Sequence, residues 1–314
     1  MKHKLKTTLV LTTMAVGCLH VINKCIITAS TIKDLLPIHP GKYFDWRFGK
    51  VFYRKSGSGA PLLLVHDLDP ASSSYEWSQL EQKLAQNYTV YALDLPGCGR
   101  SDKPNLTYTN YLYVQLISEF TEKIIKKKTH VAATGISGSF AIMACNNNPD
   151  LFDKLFLISP ESLKKLNQIP SKSSKMAKLL IDCPIIGTFL YHVQKSKSNI
   201  EYDFTEKYFS NPFKVQRRQV DIYHESSHRK ESGGKYLYSS LRGNYVNINI
   251  GHALQKIDNS IFIVSGKDTE NSSSILDSYV ELNPAIETAT IPNTKQLPQL
   301  EAPEEVYKLM RIFL

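Results

Sequence analysis

The chain has 314 residues, of which 42% are hydrophobic and 21% charged, so it can bury a core and is too apolar for a disordered protein. Its 38 Lys and Arg outnumber its 29 Asp and Glu, and the net charge of +9 suits a membrane surface or an anionic partner. The five cysteines are odd in number and lack metal-ligand spacing, which argues against a disulfide scaffold and a zinc ribbon.

The N-terminal segment has the pattern of a membrane-directed sequence. Lys2, Lys4 and Lys6 precede a mostly apolar run that continues to about residue 29, with Lys24 near its end. A membrane span needs about 20 mostly apolar residues, so residues 1–35 are predicted to be an uncleaved anchor. A cleaved signal or lipoprotein signal, and a helix packed on the domain, stay open as alternatives. If the segment spans a membrane, the lysines predict a main domain on the extracytoplasmic side.

Strands and helices alternate through much of the remaining chain. Continuous apolar runs predict buried strands, and apolar residues at helical spacing predict helices. The predicted strands are two short ones within Tyr43–Tyr53, then Pro61–Val65, Tyr88–Leu93, His130–Thr134, Leu155–Ile158, Ile261–Val264 and Glu287–Ile291. The predicted helices are Ser74–Gln86, Tyr108–Lys127, one through Phe140–Cys145 and one that begins at Pro303. This alternation predicts βαβ units and a mostly parallel sheet.

One long segment interrupts the alternation. Residues 161–255 are rich in Lys, Ser and Tyr, and we predict mostly helices and loops there. They contain 15 Lys and Arg against 8 Asp and Glu, so most of the net positive charge lies in this segment. The charge is diffuse and no recognised motif accompanies it, which disfavours nucleic-acid binding.

Three stretches of the chain carry a family resemblance. They are PLLLVHDLDPASSSYEW at 61–77, YALDLPGCGRSDKP at 91–104 and IPNTKQLPQLEAPEEV at 291–306. These stretches resemble the α/β-hydrolase family, in its esterase, haloperoxidase and epoxide-hydrolase branch. The resemblance implies an α/β-hydrolase fold, in which a mostly parallel central sheet has flanking helices. It also implies that a helical lid, 161–255, is inserted between two parts of the core, 36–160 and 256–314.

The resemblance also implies a mechanism with identifiable residues. A serine on a sharp strand-to-helix turn attacks the substrate, a histidine takes its proton, and an acid orients the histidine. The turn needs small residues two before and two after its central residue, and Gly135 and Ser139 make Ser137 the nucleophile candidate. A register shifted by two residues stays open; it puts Gly135 in the nucleophile slot and leaves no nucleophile.

The oxyanion hole is expected from the backbone N–H groups of Leu68 and Gly138. Family members have His-Gly immediately before the position of Leu68, whereas this chain has His66-Asp67. A carboxylate beside a developing negative charge opposes that charge. Asp67 therefore weakens the catalytic interpretation.

The acid and base slots complete the candidate triad. Asp268 is the acid candidate, with Glu270 and Glu161 as rivals. Gln296 stands where the family pattern Pro-x-x-x-His-Leu-Pro has its histidine, and an amide cannot accept a proton at neutral pH. The lid offers alternative bases, which are His192, His224 and His228.

Three functions stay open from the sequence. One is a slow serine hydrolase of esterase type, with Ser137 as nucleophile and Gln296 positioning water. Another is an enzyme that uses a lid histidine as its base. The third is a non-catalytic, membrane-associated binding or scaffold protein. The expected partners are a small apolar or ester-like molecule and the membrane, and we expect no cofactor and no metal.

Overall fold

The computed structural model describes residues 2–38 and 40–314. The strands are β1 Gly41–Trp46, β2 Gly49–Ser56, β3 Ala60–Val65, β4 Tyr88–Leu93, β5 Thr129–Thr134, β6 Phe152–Ile158, β7 Ile261–Gly266 and β8 Glu287–Ile291. Within the described residues they form one sheet in the order β1-β2-β4-β3-β5-β6-β7-β8. β2 pairs antiparallel with β1 and β4, and all other neighbours pair parallel. The predicted fold class is confirmed.

The helices flank the sheet and fill the insertion. They are α1 Lys2–Thr31, α2 Glu81–Leu84, α3 Asn110–Phe120, α4 Ser137–Asn147, α5 Leu163–Leu166, α6 Lys172–Asp182, α7 Ile186–Gln194, α8 Lys197–Tyr202, α9 Arg217–Ser232, α10 Gly234–Arg242, α11 Gly251–Lys256, α12 Ser272–Leu282, α13 Pro298–Glu301 and α14 Pro303–Phe313. Helices α5 to α11 lie between β6 and β7, at the place where the resemblance puts a lid. We call this segment the lid below.

The core has two layers because side chains alternate across the sheet. On β3, Leu63 and Val65 join the cluster that packs against α3, α4 and α12. Leu62 and Leu64 face the opposite layer, which contains Trp77 and residues of α14. Continuous apolar strands are thus buried on both faces, as the sequence predicted.

Two predicted helices differ from the structure. The segment Ser74–Gln86 is a 3₁₀ turn over Ser74–Trp77 followed by the short α2, not one helix. The Ser74 N–H donates to the buried Asp94 carboxylate at 2.7 Å, which ties the start of the turn to the end of β4. The segment predicted as Tyr108–Lys127 is α3 followed by a π-helical turn over Thr121–Ile125. The Ser73 hydroxyl also accepts the Tyr75 N–H at 3.3 Å, and such local side-chain bonds compete with a continuous helix without changing the apolar periodicity.

The second half of α1 packs on the lid, against α7 and α9. Asn23 is buried there, and its Nδ2 donates to the Ile185 carbonyl at 2.9 Å. After the helix, the Leu35 N–H donates to the buried Glu225 carboxylate at 2.6 Å, and Asp34 pairs with Arg100 at 2.8 Å. The segment is therefore joined to the lid by specific polar contacts.

Candidate functional site

A cavity of about 750 Å³ lies between the lid and the carboxyl ends of the parallel strands. Ligands of open α/β sheets bind at this edge, because the loops that leave the strands converge there. From the sheet side the cavity is lined by Asp67, Leu68, Asp69, Gly135, Ile136, Ser159, Glu161, Thr269, Glu270 and Gln296. From the lid it is lined by Gln194, Lys195, Asn199, Tyr202, Asp203, Lys207, Tyr208, Tyr238 and Arg242.

The turn after β5 places Gly135, rather than Ser137, in the strained conformation. Gly135 has φ +57°, in the left-handed region, whereas Ile136 has helical angles and Ser137 begins α4. The nucleophile of this family stands on that strained residue. Ser137 is fully buried, and its Oγ donates to the His66 carbonyl at 2.7 Å. The geometry is that of the shifted register.

The carboxylate of Asp67 occupies the space in front of this turn. Its Oδ1 accepts the Leu68 N–H at 2.8 Å and the Ile136 N–H at 3.1 Å. A Cβ on Gly135 would lie 2.2 Å from the same Oδ1 atom. The two N–H groups converge on one point, as the donors of an oxyanion hole do. An anion of the chain itself occupies that point.

The other expected donor lies elsewhere. The Gly138 N–H donates to the Gly135 carbonyl at 3.2 Å within the first turn of α4, and Gly138 does not line the cavity. In the observed register the residue that follows the strained position is Ile136. Of the two predicted oxyanion donors, the structure therefore brings Leu68 to the cavity and not Gly138.

A buried acid, Glu76, is hydrogen-bonded to the backbone of Asp67. Burial raises the pKa of Asp67 to about 6, against the lowering effect of its two N–H donors. Glu76 is fully buried, and its Oε2 accepts the Asp67 N–H at 3.0 Å. Burial and the nearby Asp67 charge raise the pKa of Glu76 to about 8. Burial thus favours the neutral form of both acids, and Glu76 keeps its proton to a higher pH than Asp67 does.

The predicted base and acid slots are apart from Ser137. Gln296 is half-buried and lines the cavity, as do the rival acids Glu161 and Glu270. Asp268 is exposed, accepts a hydrogen bond from the Ser210 hydroxyl and does not line the cavity. The structure thus brings Asp67, Leu68 and Gln296 to the lining of one cavity and leaves Asp268 outside it.

The three lid histidines form a buried stack away from the cavity. The ring centroid of His228 lies 4.9 Å from that of His192 and 4.3 Å from that of His224. Burial lowers the pKa of His192 and His228 to about 4 and that of His224 to about 3. None of the three is among the described residues that line the cavity. They pack the lid and offer no base to this cavity.

A family model described as the Alpha/beta hydrolase family matches residues 62–309. The chain belongs to the alpha/beta hydrolase family. A soluble epoxide hydrolase of Corynebacterium sp. (strain C12) is 32% identical over 109 residues, which are 35% of this chain and 37% of that protein. Against the first curated relatives that it matches, the chain spans about 40% of their length.

Two solved structures illustrate the shared fold. Carboxylesterase CesB (YbfK) from Bacillus subtilis has a TM-score of 0.69 at 16% identity, covering 93% of this chain and 97% of that one. A membrane phospholipase A, described as a novel bacterial virulence factor, has a TM-score of 0.69 at 20% identity, covering 100% and 98%. At these identities the likeness concerns the fold alone.

This alpha/beta hydrolase differs from the pattern of its family at three linked positions. Gly135 stands at the strained turn, Asp67 fills the space in front of it, and Gln296 is the residue at the position where the sequence pattern predicts the histidine. The sequence pointed to Asp67 and Gln296 through their neighbouring motifs. Glu76 gave no such signal, because its role depends on burial beneath Asp67.

The raised pKa of Glu76 predicts a pH-dependent stability. The folded state retains a proton on Glu76 from about pH 4.5, where the unfolded chain loses it, up to about pH 8. The free energy of unfolding should therefore fall as pH rises through this window, by up to about 1.4 kcal/mol per pH unit. Asp67 contributes in the same direction only up to about pH 6.

Glu76→Gln should flatten the profile between about pH 6 and 8. Denaturant unfolding at several pH values measures the change, and Glu122→Gln removes an exposed carboxylate as the matched control. A profile for Glu76→Gln that is as steep as that of the control would show that Glu76 is ionised in the folded protein.

Proposed function

We propose that this alpha/beta hydrolase family member is a non-catalytic binding protein that holds a small molecule between its lid and its sheet. One observation carries the proposal. The Leu68 and Ile136 N–H groups, which converge where an oxyanion would bind, both donate to Oδ1 of Asp67. The alternative is slow ester hydrolysis by Ser137.

Competition for the two N–H groups argues against ester hydrolysis. Hydrogen bonds to a charged group contribute about 1.5–3 kcal/mol each, roughly twice the contribution of neutral ones. A neutral ester carbonyl is therefore a poor competitor for donors that already hold the Asp67 carboxylate. If the carbonyl did enter, the same carboxylate would repel the negative charge that develops on its oxygen.

The groups that would transfer a proton during ester hydrolysis do not compensate for the occupied oxyanion donors. Ser137 is buried and donates its hydroxyl hydrogen to the His66 carbonyl. Gln296 carries an amide, which cannot take up that proton. A hydroxyl without a base is a weak nucleophile.

The cavity itself is suited to binding. Its volume of about 750 Å³ is within the range of small-molecule sites, about 300–1,000 Å³. Tyr202, Tyr208 and Tyr238 contribute aromatic surface from the lid. These features support a pocket that retains a ligand after the chemistry has been lost.

Turnover of p-nitrophenyl esters tests this proposal. We expect the full-length protein to hydrolyse acetate, butyrate and octanoate esters no faster than its Ser137→Ala variant. Binding without turnover is then measured by displacement of a fluorescent apolar probe from the cavity. An esterase rate that disappears in Ser137→Ala would overturn the proposal in favour of the hydrolase.

We also propose that α1 anchors the protein in a membrane, with the main domain on the extracytoplasmic side. Among the described residues, one helix has the length and hydropathy of a span, and it lies within α1. Val10, Leu11 and Met14 are more than half exposed. The lysines at the N-terminus favour the inner side of the membrane.

The lid extends the apolar surface next to α1. Helices α6 and α7 expose large apolar side chains and α7 packs on α1, so a bilayer that surrounds the first half of α1 would lie close to them. The exposed residues are Met176, Leu179, Leu180, Ile186, Leu190 and Val193. Their position supports a lid that faces the membrane surface.

Two truncations separate anchoring from stability. A chain that starts at residue 20 should move from the membrane to the soluble fraction and keep its stability, since it retains the Asn23 contact with the lid. A chain that starts at residue 36 should also leave the membrane. It loses the Asp34 pair with Arg100 and the Leu35 bond to Glu225, which should cost about 2–4 kcal/mol.

Cell fractionation and denaturant unfolding of the three chains measure these effects. The full-length protein is the control for both. Equal partitioning of all three chains into the soluble fraction would contradict the anchor, and equal stability of the two truncated chains would contradict the role of Asp34 and Leu35.

A further inference from the structure

We propose that the cavity binds a molecule that carries a protonated amine, and that this ammonium group pairs with Oδ2 of Asp67. The inference rests on the proposed binding function and names the chemical class of its ligand. A site with free N–H donors accepts an anionic oxygen. Here the Leu68 and Ile136 N–H groups already donate to the Asp67 carboxylate, so the oxyanion position presents a negative charge to the cavity.

The two oxygens of Asp67 have different surroundings. Oδ1 accepts the N–H groups of Leu68 and Ile136, whereas Oδ2 accepts no hydrogen bond from the described residues. Oδ2 is not sealed off from its surroundings by other atoms of the protein, and the Asp67 side chain lines the cavity. A ligand in the cavity can therefore reach Oδ2.

No cation of the described residues pairs with Asp67. Three lysines that line the cavity are each engaged with another carboxylate: Lys195 with Asp69 at 2.7 Å, Lys165 with Glu161 at 2.6 Å, and Lys207 with Asp203 at 2.6 Å. Arg242 also lines the cavity, but it is exposed and forms no ion pair with Asp67. A half-buried carboxylate without a cation is stabilised by a ligand that brings one.

The lid supplies a second element of recognition. Tyr202, Tyr208 and Tyr238 line the wall of the cavity, and tyrosine rings attract cations through their faces. Lys207 lies over the Tyr202 ring and Lys195 over the Tyr238 ring, so among the described residues only the Tyr208 ring of these three has no lysine over it. An ammonium group on an apolar body would thus meet a carboxylate at the sheet and the Tyr208 ring at the lid. Neither an alcohol nor a carboxylate of the same shape gains both interactions.

Three probes of matched size test the proposal: 2-phenylethylamine, 2-phenylethanol and phenylacetate. Their dissociation constants are measured by ligand-observed NMR with the full-length protein in a non-ionic detergent at neutral pH. We expect the amine to bind at least about tenfold more tightly than the other two, because hydrogen bonds between charged groups are roughly twice as strong as neutral ones.

Two variants assign the preference to Asp67. Asp67→Asn keeps an oxygen that accepts the Leu68 and Ile136 N–H groups, so the cavity should retain its shape. It should weaken amine binding to the level of the alcohol and leave alcohol binding unchanged. Glu122→Gln removes one exposed charge outside the cavity and should preserve the preference.

Each outcome decides a specific point. Equal binding of the amine and the alcohol, or a preference that persists in Asp67→Asn, would overturn the ammonium proposal and leave the binding function standing. If none of the probes binds, the ammonium proposal fails. If ester turnover also depends on Ser137, the binding function fails with it.

Discussion

A single methyl group at position 135 should destabilise the protein by about 2–5 kcal/mol. The Cβ of Gly135→Ala would lie 2.2 Å from Oδ1 of Asp67. Overpacking of this kind typically costs about 1–3 kcal/mol, and a left-handed φ adds about 1–2 kcal/mol for a residue other than glycine. Denaturant unfolding of the full-length protein in detergent measures the loss.

The same substitution should be much less costly once the carboxylate is removed. In an Asp67→Gly background only the backbone strain at position 135 persists, so the double-mutant cycle should give a coupling of about 1–3 kcal/mol. Gly138→Ala in α4 is the matched control, because its Cβ would meet the side chain of Leu157 on β6 at an ordinary 3.5 Å. That control should be neutral or slightly stabilising. A coupling near zero would mean that Asp67 does not fill the space in front of Gly135.

Serine-hydrolase reactivity should appear when the three linked positions change together. Asp67→Gly frees the Leu68 and Ile136 N–H groups, Gly135→Ser puts a hydroxyl on the strained residue, and Gln296→His adds a base that lines the cavity. We expect the triple variant to react with a fluorophosphonate about 10²–10⁴ times faster than the native chain, the usual contribution of general-base assistance.

The controls isolate the new serine. The triple variant with Gly135→Ala instead of Gly135→Ser has the same freed donors and base but no hydroxyl, and it should not react. Gln296→His alone should also fail, because Ser137 is buried and bound to the His66 carbonyl. Strong reaction of that single variant would assign the nucleophile to Ser137 after all.

Most of the fold could be predicted because its signals are local. Runs such as Pro61–Val65 are apolar on both faces, and only a buried parallel strand needs that pattern. The motifs around Asp67 and Gln296 also fixed which loops meet, since carboxyl ends of parallel strands share one edge. The sequence therefore predicted which strand-end loops carry Asp67 and Gln296, and both residues line the cavity.

The register of the turn could not be decided from the sequence. The stretch from Ala133 to Ser139 has small residues at alternate positions, so Gly135 and Ser137 both meet the steric requirement of the central slot. The backbone decides between them, because only Gly135 has a positive φ. Similarly, the role of the lid histidines depends on contacts between separate helices. The rings of His192, His224 and His228 pack against one another, which assigns them to the interior of the lid.

Mapping of fluorophosphonate adducts on the native protein tests the central claim most directly. The claim is that the chain has no serine nucleophile because Asp67 holds the oxyanion donors and Gly135 occupies the nucleophile position. After prolonged incubation at neutral pH, peptide mass spectrometry should find no adduct on Ser137 and the same result for the native protein and Ser137→Ala. An adduct on Ser137 that disappears in Ser137→Ala would contradict the account.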